Sequence, residues 1–448
     1  MSAHDVSTAK HPAAPEAPPT EPVTTLTLDP HVSPEAFARV REQSRVARVT
    51  FAFGEKSEMT GDQASEFRAF LGREHLFVTR YDDVIAALLD SRISSDPRTA
   101  MTPEQQQKLP QTPEELRPIS RSLLTADPPD HARLRKLIQP SFTPRAMESL
   151  RARIQNIAEE LLDTAERKAA ERGETGPQRH MDLIKEFAYP LPVRVISDLL
   201  GIPLEDREKV KGWTENLISN NQGRGLAGPE GRAKLRAFTD YLRELFVAKR
   251  KQPADDMISQ LLRIEEDGDK LNEEETLSTV FILYLAGHVT TVNLIGNGVF
   301  ALLSHPDQLA KLKANPSLVK GLVEETLRYW GPIDFLSRRI AKEDMEVAGT
   351  HVPKGEPMMV GLASANRDPQ RFAHPDVFDI SRPDADKHVA FGKGIHICIG
   401  APLARMEGQI AFETLMRRLP ELRLAIPAEQ LTWNSSFLRG FAQLPVLY

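Results

Sequence analysis

Cysteine is almost absent from this chain: 448 residues contain one, Cys398. An intramolecular disulfide is therefore excluded, which fits a reducing, cytoplasmic setting. An excess of positive charge is missing too. The 57 Lys and Arg stand against 63 Asp and Glu, a formal net charge of −6, so no global cationic field gathers phosphates and nucleic acid is not an expected partner. Long apolar runs are scarce. The one stretch long enough to cross a bilayer, residues 276–303, carries His288, Thr290, Thr291, Asn293 and Asn297, which are costly in lipid. It reads as a helix buried inside a large protein, with no membrane partner. The first residues include His4, Asp5 and Lys10 and show no signal-peptide core.

What is present suits a globular fold: 40% hydrophobic and 27% charged residues can build a sizeable core. Residues 1–25, with Pro12, Pro15, Pro18, Pro19 and Pro22, read as a disordered leader, and 26–448 as one large domain. Short β-type runs are expected at 45–53 and 75–79, then a helix over 81–89. The polar, proline-punctuated stretch 94–118 is expected to be a functional loop. Helical periodicity covers 130–139, 146–171, 191–200, 204–219 and 230–250, with a glycine-rich tip at 220–231. Asn272 and Glu275 form a capping-box variant ahead of the long apolar helix. Further helices are expected at 316–330 and 401–419, and residues 331–382 look strand-like. The fold class is mainly α, with small β sheets drawn from both ends of the chain.

Residues 391–400 read FGKGIHICIG. Gly392, Gly394 and Gly400 permit a tight turn and close backbone approach to something flat or bulky. A helix follows at once, so Cys398 lies just before a helix N-terminus, where the dipole and N–H groups of Ile399 and Gly400 favour a thiolate. A lone cysteine is more often a buried apolar residue. The glycine loop and the helix behind it reverse that preference.

Through Phe391, Gly394, His396, Cys398 and Gly400 the chain resembles the cytochrome P-450 family, from about residue 30 onward. The resemblance implies about a dozen helices around a buried haem b (iron protoporphyrin IX), with Phe391, Gly392 and Gly400 beside it. Cys398 is then the axial ligand of the iron, and such a thiolate favours O–O cleavage. Glu325 and Arg328 of ETLR lie at i, i+3, which is ordinarily a solvated pair worth a few tenths of a kcal/mol. The resemblance places them with Arg382 in a buried network. It likewise implies that His131 and Arg135 of HARLR, with Arg339 and His396, clamp the haem propionates. In AGHVTT, residues 286–291, Ala286 and Gly287 would leave room for the macrocycle, and Thr290 would support proton delivery to dioxygen. The acid expected before that threonine is Val289, which cannot relay a proton, so His288 or Thr291 with water stand as substitutes.

The implied activity inserts one oxygen atom from dioxygen into a hydrophobic small molecule, by hydroxylation or epoxidation; polyketide-type natural products fit. No flavin- or nicotinamide-binding segment is visible, so a ferredoxin and a ferredoxin reductase are the expected electron donors, steered by Arg133, Lys136, Lys393 and Arg405. Expected substrate contacts are Leu285, Ala286, Ile333, Phe335 and Phe437, under a mobile tip at 219–232. Two rival readings remain at this point. Val289 suits a peroxide-driven or non-oxygenating haem enzyme, and a haem-based sensor or carrier is the alternative of another class.

Overall fold

A computed structural model describes residues 23–28, 31–53, 72–107, 112, 114–214, 229–263, 271–434 and 438–448. Most of the expected leader, most of the 219–232 tip and Phe437 lie outside the described residues. The expected leader boundary is overrun, because Thr24 and Thr25 already belong to a strand.

Twelve helices of seven or more residues are found among the described residues. They are α1 (Pro34–Gln43), α2 (Tyr81–Leu89), α3 (Asp130–Ile138), α4 (Pro144–Glu171), α5 (Pro190–Leu200) and α6 (Arg207–Thr214). Then come α7 (Pro229–Lys251), α8 (Met257–Arg263), α9 (Glu273–Ser304), α10 (Pro306–Ala314), α11 (Val319–Trp330) and α12 (Ala401–Arg418). The expected loop at 94–118 is partly helical instead, with single turns at Pro97–Ala100 and Pro103–Gln107. Asp96 caps the first of these by accepting from the Arg98 N–H, a local bond that proline content hides from a periodicity reading.

Local chemistry sets the ends of the long helices. Thr143 caps α4 by accepting from the Ala146 N–H, and Pro144 occupies the first turn, where its missing N–H costs nothing. The buried stripe of α4, Ile154, Ile157, Ala158, Leu161, Leu162 and Ala165, recurs at three- and four-residue steps. A complete capping box starts α9: the Glu275 N–H donates to Asn272 Oδ1, and the Asn272 N–H donates to Glu275 Oε2. Mostly buried, α9 is a core helix packed against α5, α11 and α12, which is why apolar residues surround it.

The strands are β1 (Thr24–Leu28), β2 (Val46–Phe53), β3 (His75–Val78), β4 (Ile93–Ser94), β5 (His180–Asp182) and β6 (Leu336–Ala341). β7 (Met345–Val347), β8 (Thr350–Val352), β9 (Pro357–Val360), β10 (Arg423–Leu424) and β11 (Pro445–Leu447) complete the set. The main sheet runs β1-β2-β3-β9-β6-β4, so it joins strands from both ends of the sequence. In β3 and β9, Leu76, Val78, Met358 and Val360 point to one small core, while Phe77 and Met359 point to another. That is the period-two alternation of a sheet covered on both faces. Between β6 and β9 the register slips at Leu336–Arg339, and Arg338 there adopts φ 58. The irregularity leaves Arg338 exposed and turns its neighbour Arg339 inward.

Candidate active site

The cysteine loop is pinned by its own backbone. The Cys398 N–H donates to the Phe391 carbonyl at 2.9 Å, and Gly392 and Gly394 adopt φ 70 and 71. A side chain at Gly394 would also collide with the Leu88 carbonyl at 2.5 Å, so the loop sits tightly on the end of α2. Cys398 is exposed on one side and hemmed in by protein on the others. Burial pushes its thiol up, against hydrogen bonds from the Gly400 and Ala401 backbones and the charges of Arg135 and Arg405. One expectation is corrected here: the backbone N–H groups that face the sulfur come from Gly400 and Ala401, so Ala401 takes the place expected of Ile399.

Four donors gather beside the loop. The His131 and His396 rings meet edge to face at 4.5 Å, and Arg135 Nη1 donates to the Ile397 carbonyl at 2.6 Å. Burial holds Arg339 below its ordinary value, with Asp127 as the charge that attracts it. His396 is pushed down to about 4, chiefly by desolvation and then by Arg339 and His131. His131 is also lowered, by desolvation and Arg135. Both imidazoles are therefore neutral donors at pH 7, and the positive charge belongs to the two arginines. His131 Nε2 is buried with no hydrogen-bond partner. None of the four forms an ion pair with a carboxylate among the described residues.

Along α9 a narrow, partly open stripe interrupts the buried helix: Ala286 is exposed and Ile282, Val289 and Thr290 are half-buried, at three- and four-residue steps. The Thr290 hydroxyl donates to the Ala286 carbonyl at 2.8 Å. Four expected residues fall elsewhere on the helix. The missing side chain of Gly287 faces Ile196 of α5, where a Cβ would stand 3.1 Å away, so this glycine serves close helix packing. His288 is fully buried against Tyr284 and Tyr189, with Nδ1 2.6 Å from the Tyr284 carbonyl. Desolvation lowers it to about 4, and it is a core histidine. Thr291 is buried and donates to the Gly287 carbonyl at 3.2 Å. Leu285 is packed in the main core. All four point away from the stripe because 100° per residue carries them round the helix.

Glu325 and Arg328 are 0% and 1% exposed. Arg328 donates to both carboxylate oxygens, at 2.7 and 2.8 Å, and Arg382 Nε reaches the same pair at 3.2 and 3.1 Å. The remaining guanidinium N–H groups end on carbonyls of Asn366, Pro375, Ala373, His374 and Val377. Next door, Glu324 binds Arg405 at 2.7 and 2.9 Å and His388 Nε2 at 3.2 Å, and Arg405 lies 4.7 Å over the Phe391 ring. Although burial opposes it, hydrogen bonds from His388 and Arg405 hold Glu324 at about 2.

These pairings correct the expected docking cations. Arg405 is bound to Glu324, and Arg133 is paired with Glu275 at the start of α9. Both charges are largely spent inside the protein. Among the expected substrate residues, Phe335 packs with Phe51 at 5.1 Å and Phe77 at 6.2 Å in the sheet's aromatic cluster. Ile333 is half-buried and bridges to Leu438. A surface groove of about 420 Å³ beside His31, Trp330 and Trp433 includes none of the residues around Cys398. Sequence reasoning missed Asp127, Ser95 and Glu324, although Asp127 opens the same DPPDHARLR run that carries His131 and Arg135.

An accessible thiol at a helix start, a buried histidine nitrogen without a partner and two arginines without carboxylates fit a haem. Its iron would take a soft sulfur ligand from Cys398, and its two propionates would take the donors. The class is a haem-thiolate protein. Known proteins agree. The family model described as Cytochrome P450 matches residues 230–421. CYP107DY1, a cytochrome P450 of Priestia megaterium, is 45% identical over 380 residues, covering 82% of this chain and 88% of its own length. The polyketide biosynthesis cytochrome P450 PksS of Bacillus subtilis is 42% identical over 370 residues, covering 82% and 88%. The crystal structure of the myxobacterial cytochrome P450 CYP267B1 with myristic acid superposes with a TM-score of 0.79 at 40% identity, over 92% of this chain and 96% of that one. The chain belongs to the cytochrome P450 family. It is a haem-dependent monooxygenase that takes electrons from redox partners and acts on a small molecule.

Proposed function

We propose that this monooxygenase hydroxylates or epoxidises a hydrophobic, polyketide-type natural product in the cytoplasm, using haem b and electrons delivered by a ferredoxin and its reductase. The observation that carries the reading is the accessible Cys398 thiol beside four donors that lack carboxylate partners. Bound haem supplies oxygen activation and electron storage, while the protein supplies the ligand, orientation and water exclusion. Cys398 offers the sulfur, and the Gly400 and Ala401 N–H groups hold negative charge on it. Arg135, Arg339, His131 and His396 bind the propionates. Ile282, Ala286 and Val289 present an apolar wall to the substrate, and Thr290 puts the one hydroxyl on that stripe. By rotating off the Ala286 carbonyl, this hydroxyl can hand a proton inward. A polyketide pathway in the name of PksS and a fatty acid held by CYP267B1 support an apolar substrate.

The test is optical and then kinetic. Carbon monoxide added to reduced protein gives the red-shifted Soret band of thiolate-ligated haem, and product formation follows on adding ferredoxin, reductase and dioxygen. Colourless protein that takes up no haem overturns the assignment. A second reading has one observation in its favour, since the partly open stripe of α9 carries no acid and Val289 holds the place of one. Turnover with hydrogen peroxide, and none with ferredoxin and reductase, would establish that reading instead.

A further inference from the structure

The four donors of the proposed propionate clamp come from three separate elements: His131 and Arg135 from α3, Arg339 from β6, and His396 from the cysteine loop. One residue is tied to all three, directly or through one neighbour. Asp127 lies just ahead of α3, and its carbonyl accepts the His131 N–H at 2.9 Å. Its carboxylate accepts from the hydroxyls of Ser94 and Thr99, the latter at 2.6 Å, and from the Ser95 N–H at 3.1 Å. Ser94 belongs to β4 and pairs with Ile340 of β6, the residue after Arg339. The Ser95 hydroxyl stands 3.1 Å from His396 Nε2 and so fixes that ring. Asp127 makes no ion pair with a cation among the described residues, yet it is the charge that attracts the desolvated Arg339.

We propose that Asp127 is a positioning residue of the clamp with two opposed effects: through Ser94 and Ser95 it sets the donors in place, and through its own charge it weakens their hold on an anionic group. The inference rests on the haem reading above. A site meant only to grip carboxylates gains nothing from an acid at its centre, because a fixed negative charge there repels them. The same acid gives three hydrogen-bond donors from one turn a shared acceptor, which joins β4, α3 and the cysteine loop into one unit. The price in affinity is accepted for geometry, and a group held this way stays adjustable in potential.

Substitution separates the two effects, with haem transfer to excess apomyoglobin as the readout and the midpoint potential as the second. Asp127→Asn keeps an acceptor for the turn and removes the charge, so haem transfer slows about threefold and the potential rises. Ser95→Ala keeps the charge and frees His396, so transfer speeds up about threefold with the potential unchanged. Asp127→Ala loses both, so the two effects offset and transfer falls between the rates of the other two variants, with the potential raised as in Asp127→Asn. If that variant does not fold, the other two still decide the matter. Faster transfer from Asp127→Asn, or wild-type rates from Ser95→Ala, overturns the inference while leaving the haem assignment intact. A wild-type protein that binds no haem overturns both.

Discussion

Glu325 on α11 and Glu407 on α12 are both buried carboxyls, 0% and 1% exposed, on helices packed against each other. Their surroundings could hardly differ more. Glu325 receives two bonds from Arg328, two from Arg382 and one from the Asp379 N–H. Glu407 has an oxygen with no partner at all, and burial pushes its carboxyl well above the usual range. Protein interiors tolerate a carboxyl in two ways, ionised within a saturated network or neutral and alone. This molecule uses the first where geometry must be rigid, behind the cysteine loop. Glu324 is intermediate, ionised and paired but partly open, with 15% of its side chain exposed.

The comparison breaks most visibly at Glu325. Glu325→Ala leaves Arg328 and Arg382 buried without a counter-charge, a loss of about 3–5 kcal/mol that denaturant unfolding will show or that insoluble expression will announce. A smaller effect depends on pH. Glu324 is held at about 2, below its unfolded value, so its stabilisation is complete above the ordinary carboxyl range and drains away as the pH falls toward 2. Glu324→Gln should flatten the stability curve between about pH 4.5 and 2, an acid-side difference of about 3 kcal/mol. Glu407 carries the opposite sign. An acid raised on folding penalises the native state increasingly as pH rises past the unfolded value. Glu407→Gln therefore stabilises the protein by about 1–2 kcal/mol at pH 8 and by almost nothing at pH 4. A raised Tm at pH 8 alone is the signature. The smallest effect sharpens the contrast by adding a carboxyl where there is none. Val289→Glu on the half-open stripe changes stability little and raises the share of electrons that end in product about twofold, read as product formed per reductant consumed. An unchanged ratio would show that proton delivery does not run through this position.

Local spacing made much of this legible. The glycine loop before a helix, the i, i+3 step of ETLR and the i, i+4 step of HARLR bring their residues together within one or two turns. Helix existence was readable from apolar periodicity, and the ends of α3, α4, α7 and α12 lie within two residues of the expected ones. What could not be read is orientation on a helix that is apolar all round. Leu285, His288 and Thr291 follow each other on α9, and no pattern in the residues says which face meets the site. Pairings across long separations were hidden as well. Arg133 meets Glu275 across 142 positions, Ser95 meets His396 across 301, and Phe335 finds Phe51 only once the sheet has formed. Asp127 is the extreme case, since its role exists only where three distant elements converge.

Gly287 sets a boundary for anyone who would redesign this enzyme. Ala286 and Thr290, one and three residues away, lie on the half-open stripe, where a changed side chain alters the shape offered to a substrate and, at Thr290, the hydroxyl as well. At Gly287 the added carbon pushes against Ile196 at 3.1 Å and moves one of the longest helices in the protein relative to α5. A mutant library spread evenly over residues 286–290 would thus mix two experiments, carving the wall of a chamber and shifting the beam that carries it.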